Sequence, residues 1–179
     1  FLDNWHAIIN MLMVLHLAPV VDVVEHADAP VVVYRASDGV PLTAWIAERA
    51  AVGVGARASA ARDVIDQVAQ ALAAAHRMPG AEPWAHGALD ITSVRVERRG
   101  GTISMARVEG LGLTRVARPP AGWLPPPEGP EPSPRADVFA LGRLVVRLLS
   151  DDPPGWEPAT LRAWWERRGL ALHGSLASA

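Results

Sequence analysis

The stretch Ser133-Pro134-Arg135-Ala136-Asp137-Val138-Phe139-Ala140-Leu141-Gly142, with the apolar residues after it, leaves little choice of local fold. Ser133 offers a hydroxyl that can cap a helix, and Pro134 suits the first helical position, where no amide donor is needed. Val138, Leu141, Leu144, Val145, Leu148 and Leu149 then recur at helical spacing and predict one apolar stripe. The Asp151-Asp152-Pro153-Pro154-Gly155 run ends it. A short helix with Leu161, Trp164 and Trp165 is expected beyond, its tryptophans reading as core rather than as a partner surface. Before Ser133, residues 119–134 are rich in Pro and Gly, which predicts a loop.

The rest of the chain alternates periods. Ile8, Leu12 and Leu15 predict a helix from Trp5 to about Leu17, ended by Pro19. Val20–Glu25 and Pro30–Tyr34 are β-branched runs that read as a hairpin. Ser37-Asp38-Gly39 is a turn, and Pro41 to about Ala51 reads as a helix with Pro in its first turn. Ser59–His76 is the clearest helix, with Val64, Val68 and Leu72 at i, i+4 and i+8. Met78-Pro79-Gly80 stops it. Val94–Glu97 and Thr102–Ala106 flank Arg99-Gly100-Gly101 as a second hairpin.

Composition narrows the chemistry. The 179 residues suit one domain, possibly of two lobes, and half of them are hydrophobic. A net charge of -2 gives no reason to expect nucleic acid or an anionic membrane. With no cysteine, disulfides and thiolate sites are excluded, in keeping with a reducing, cytoplasmic setting. All 17 basic residues are arginine, which excludes a Schiff base or a lysine phosphate loop and suits a GC-rich bacterial genome. The six histidines show no metal-binding spacing, and no Gly-x-Ser-x-Gly elbow occurs. The apolar run 7–24 is broken by His16, Pro19 and Asp22, too often to span a membrane, and no basic segment precedes it as in a secretory signal. Because residue 1 is Phe, the chain is expected to be part of something longer.

Two further stretches join the one at Pro134. They are His86-Gly87-Ala88-Leu89-Asp90-Ile91-Thr92-Ser93 and Glu109-Gly110-Leu111-Gly112-Leu113. Singly each is weak: His86 reads as a core or loop histidine, and Gly110-Leu111-Gly112 as a turn. In this order and spacing the three resemble the protein kinase family, from its helix C through its helix F. The alternative is an unrelated helical domain with coincidental matches.

The resemblance implies an α+β, protein kinase-like fold: a mostly helical C-lobe with a reduced N-lobe of one helix and a two-strand hairpin. Residues 1–36 would be the N-lobe remnant and 37–179 a C-lobe truncated after helix F. The glycine-rich loop and first three strands have no counterpart.

Against the family's His-Arg-Asp-Leu-Lys-Pro-x-Asn loop, the aspartate that orients the substrate hydroxyl falls on Ala88. The phosphate-steadying lysine falls on Asp90, and the magnesium-binding asparagine on Ser93. The metal-holding aspartate of Asp-Phe-Gly falls on Gly110, leaving Glu109 one residue away. The apolar floor under the adenine falls on Arg95, which either fills the slot or swings out; filling is favoured. The helix C glutamate would lie near Ala7 and Ile8. Structural positions are kept: Asp137 and Gly142 match helix F, His86 and Leu111 match an apolar spine, and Glu128 matches the end of the activation segment.

The expected function is therefore that of a catalytically inactive pseudokinase, a protein-binding or regulatory scaffold with no cofactor and no metal. The alternative is a divergent serine/threonine protein kinase with residual ATP binding or phosphotransfer. Expected partners are a kinase, a phosphopeptide-reading domain, or other domains of its own chain, with residues 119–134 on display. Thr114 and Ser133 are candidate phosphoacceptors. Self-association through the exposed strands near 20–34 is possible.

Overall fold

The computed structural model describes residues 16–26, 29–48, 54–78, 84–100, 102–115, 129, 131–150, 160 and 163. Contacts group residues 1–149 as one compact unit and 150–179 as another. The predicted helices at Trp5 and at Leu161 lie outside the described residues, apart from a few isolated positions. At His16 and Leu17 the backbone already runs along a strand: Ala18 N donates to Val108 O (2.8 Å) and Val108 N to His16 O (2.8 Å).

The first hairpin is formed by β1 (Val20–His26) and β2 (Ala29–Tyr34), antiparallel, with Val24 opposite Val31 and Val20 opposite Tyr34. The register shifts between Val20 and Asp22, so Val21 is left out of the pairing. Val21, Val24, Val31 and Val33 are exposed.

A second sheet has the order β3-β4-β5, with β3 Val40–Pro41, β4 Val94–Arg99 and β5 Thr102–Val108. Alternation along β4 buries Val94 and Val96 and turns Arg95 and Glu97 to the other face. Here the structure corrects the sequence reading. Pro41 belongs to a two-residue edge strand, and the helix after it, α1, is Leu42–Glu48. An edge strand tolerates proline because one of its sides carries no ladder bonds.

Helix α2 runs Val54–His76, starting five residues before the predicted Ser59. Val64, Val68 and Leu72 are buried as their spacing predicts, together with Ala61, Ala71 and Ala75. Helix α3, Pro134–Leu149, packs on α2. Its cap is the predicted one: Ala136 N donates to Ser133 Oγ (3.1 Å). Its buried face follows the predicted stripe at Leu144 and Leu148, with Leu141 and Leu149 packed against the core. It departs from it at Val138, which is 63% exposed while Asp137 and Ala140 face inward. The helix is rotated to bring a carboxylate, not a valine, into the interior.

One cluster joins these elements: Leu42 and Trp45 of α1, the α2 stripe, Val94, Val96, Ile103 and Val108 of the sheet, and Ala140, Leu144 and Leu148 of α3. Each fully buried Val or Leu in it stabilises by about 1.5–3 kcal/mol.

Candidate functional site

The loop 84–90 crosses between the end of α2 and the start of α3, and Asp137 ties all three together. Its side chain is 1% exposed. Oδ2 accepts from His86 N (2.8 Å) and from His76 Nε2 (2.8 Å), and Oδ1 accepts from Gly87 N (2.8 Å). A carboxylate this deep is stable only with such donors. The sequence reading found Asp137 and missed His76. The one signal available was its place as the last residue of α2, where a basic group favours the helix dipole.

His86 is 2% exposed. Its Nε2 donates to Glu109 O (2.8 Å), and its Nδ1 accepts from Ala88 N (3.3 Å). That is the pattern of a neutral ring protonated on Nε2. Burial holds its pKa below the ordinary 6.5, against the opposing pull of the Glu109 carbonyl and the Asp137 charge. Ala88 is buried.

Asp90 and Ser93 are bound to each other around the 3-10 turn Ile91–Ser93. Asp90 N donates to Ser93 Oγ (2.9 Å), Ser93 Oγ donates to Asp90 O (2.8 Å), and Ile91 N donates to Asp90 Oδ1. This is a reciprocal capping box. The Ser93 hydroxyl therefore both accepts and donates within the turn. The Asp90 charge also offsets the desolvation that lowers the pKa of Arg143, whose side chain is buried on α3.

Arg95 projects from β4 on the face opposite the core. Its guanidinium donates to Gly39 O, and Nε lies 3.6 Å from Glu109 Oε1. Beside it, Arg107 Nε donates to Glu97 Oε1 (3.1 Å). Gly39 must be glycine for this approach, because a Cβ there would sit 2.8 Å from Val96 O. Tyr34, at the end of β2, lies close enough to Glu109 for the carboxylate to act on it. Burial first, and that charge second, push its pKa up to about 12. Tyr34 Oη, Ser37 Oγ and Arg95 Nε are buried with no hydrogen-bond partner among the described residues. The sequence reading placed Tyr34 at a strand end and Ser37 in a turn, and gave neither a role in the site.

The remaining predicted positions divide. Gly110 lies against the His86 ring, 3.8 Å from where its Cβ would be, and Leu111 is buried in the core. Gly142 is exposed on α3, and a Cβ there would meet nothing within 4 Å. Glu128, Ala7 and Ile8 lie outside the described residues. Among the described residues no group of three or more His, Asp or Glu is placed to hold a metal. No described helix is long and apolar enough to cross a membrane.

With two small antiparallel sheets, three helices and a loop anchored by a buried helix aspartate among the described residues, the chain has a reduced protein kinase-like α+β fold. Comparison with solved structures agrees. The PknI kinase domain of Mycobacterium tuberculosis superposes with a TM-score of 0.62 at 20% identity, over 95% of this chain and 68% of that one. In sequence, the chain is 28% identical over 160 residues to the serine/threonine-protein kinase Pkn1 of Myxococcus xanthus. That match covers 82% of this chain but spans only 22% of Pkn1. No protein-family model matches the sequence.

Proposed function

We propose that this chain is a catalytically inactive kinase-like module that works by binding other proteins. The observation that carries the reading is the Arg95–Glu109 pair. It sets a guanidinium 3.6 Å from the carboxylate next to the Gly110 position, and on this reading that guanidinium takes the space that a nucleotide base would otherwise use. The capping box supports the same reading, since Ser93 has its hydroxyl engaged within its own turn. Asp90 puts negative charge where a phosphate would have to be steadied. Losing several members of one catalytic unit together leaves little for the rest to do.

On this reading residues 1–36 act as a small-lobe remnant, 37–179 as the C-lobe, and the module is cytoplasmic. Its partners are a kinase, a phosphopeptide-reading domain, or another part of its own chain. The exposed valines of the first hairpin support a protein contact or self-association there.

A second reading keeps enzymatic activity: a divergent serine/threonine kinase in which Glu109 holds the metal. The named activity of Pkn1 favours it, as does the 3.6 Å, half-exposed geometry of the Arg95–Glu109 pair, which a ligand could open. Calorimetry with ATP, with and without Mg²⁺, on wild type and Arg95→Leu separates the two. Binding only in the variant supports a slot filled by Arg95. Mg²⁺-dependent binding by wild type overturns the inactive reading.

A further inference from the structure

Between the end of the anchored loop and α3 lies a cleft of about 210 Å³. Its charged lining among the described residues is two guanidiniums, Arg143 and Arg147, and one carboxylate, Asp90. The arginines stand four residues apart on α3, the spacing at which like charges face each other and repel. Arg143 is buried, at 8% exposed, and Arg147 is exposed. Burial most of all lowers the Arg143 pKa, the Asp90 charge opposes that, and the Arg147 charge adds to it. Both neighbours therefore act on Arg143 through their charge. Leu89, Ile91 and Leu144 supply apolar walls.

We propose that this cleft takes an acidic side chain of a partner protein, its carboxylate held by Arg143 and Arg147 and its stem against the apolar walls. Charge, size and geometry select that class. Cations exceed anions by one in the described lining, so a single carboxylate brings the cleft to neutrality. A phosphate dianion would instead face the Asp90 charge. Asp90 is fixed there, because its Oδ1 accepts from Ile91 N in the capping box. The cleft is smaller than the roughly 300–1,000 Å³ of sites for whole small molecules, and suits one side chain. Guanidiniums present forked donors that match the two oxygens of a carboxylate. The proposal rests on the reading of the chain as a protein-binding module. ATP calorimetry reports on Arg95 and a peptide titration on Arg147, so either can fail without the other.

The test titrates the 179-residue chain into short fluorescent peptides blocked at both ends, read by anisotropy. One peptide carries a single glutamate among alanine and leucine, and its counterpart carries glutamine there. The glutamine peptide is expected to bind about tenfold more weakly. Arg147→Gln, a change at an exposed position, should abolish that difference. Inorganic phosphate should not displace the glutamate peptide from wild type. Asp90→Asn keeps a capping side chain but removes the opposing charge, and should turn phosphate into a competitor. Equal binding of the two peptides, a glutamate advantage that survives Arg147→Gln, or displacement by phosphate from wild type would overturn the proposal. Phosphate without effect on Asp90→Asn would do the same. So would a glutamine peptide with a free C-terminal carboxylate that binds as tightly as the glutamate peptide, since the ligand would then be a chain end.

Discussion

Two polar regions of this molecule, one around Asp137 and one around Arg95, are treated in opposite ways. Around Asp137, both carboxylate oxygens are engaged, by two adjacent backbone amides of one loop and a histidine at the end of α2. Around Arg95, three buried polar atoms have no hydrogen-bond partner among the described residues, and an arginine and a glutamate stand 3.6 Å apart. The first region only has to hold the loop, and nothing in it is left for a ligand. In the second, the polar groups are only partly satisfied by the protein. The difference separates a region that holds the fold from one whose polar groups have bonding capacity left over.

That contrast can be broken most severely at Asp137. Asp137→Ala strips three buried donors of a charged acceptor and is expected to cost on the order of 4 kcal/mol in urea unfolding. Arg95→Leu, measured in the same way, is expected to change stability by less than about 1 kcal/mol, because the group it removes is half-exposed and weakly paired. A larger loss at Arg95 than at Asp137 would reverse the comparison.

A second test uses pH. Burial lowers the folded-state pKa of His86 below 6.5, so the neutral ring is the one that fits. The unfolded chain gains a proton as pH falls through 6.5, while the folded chain resists. Stability from this residue is therefore complete above pH 6.5 and lost as pH falls below it. Wild type should lose up to about 1.4 kcal/mol per pH unit there relative to His86→Leu. Parallel pH profiles for the two proteins would show that His86 carries no such strain.

The third test reads the looser region. Tyr34 is the one tyrosine in the chain, so its ionisation can be followed by ultraviolet absorbance. The folded protein should ionise it near pH 12 rather than 10, and Glu109→Gln should bring the midpoint down by removing the charge that opposes ionisation. Because the folded pKa is raised, this contribution to stability is full below pH 10 and lost as pH rises from there toward 12. An unmoved midpoint in Glu109→Gln would place Tyr34 away from the carboxylate.

The smallest expected effect is at Val138. It is 63% exposed, so Val138→Ser should change stability by less than about 0.5 kcal/mol. Periodicity alone put this residue on the apolar stripe of α3. A loss near 2 kcal/mol would restore that reading.

Much of the fold was legible because it is written in short-range patterns. The α2 stripe of Val64, Val68 and Leu72, the two hairpins and the Ser133 cap depend on neighbours within a turn or a strand, and each lies close to where it was expected. The boundaries that moved did so for contextual reasons. Pro41 entered a strand because Arg95 of β4 lay opposite it, and α2 took in five more residues that carry no cap signal. At the site, the identities of Ala88, Asp90, Ser93 and Gly110 are plain in the sequence, and the reading of them as losses rests on the family resemblance. Asp90 and Ser93, three residues apart, cap one turn together, a local pairing that their spacing in the sequence permits.

By itself the sequence determined which chemical groups this chain has and lacks: no lysine, no carboxylate at 88 or 110, an arginine at 95, an aspartate near the start of a capped helix. A side chain's chemistry goes with its identity and needs no fold. Tertiary structure alone decided that His76 reaches Asp137 across 61 residues and that Arg95 meets Glu109. Those pairings come from how helices and strands rotate and pack, and no local period in the chain encodes them.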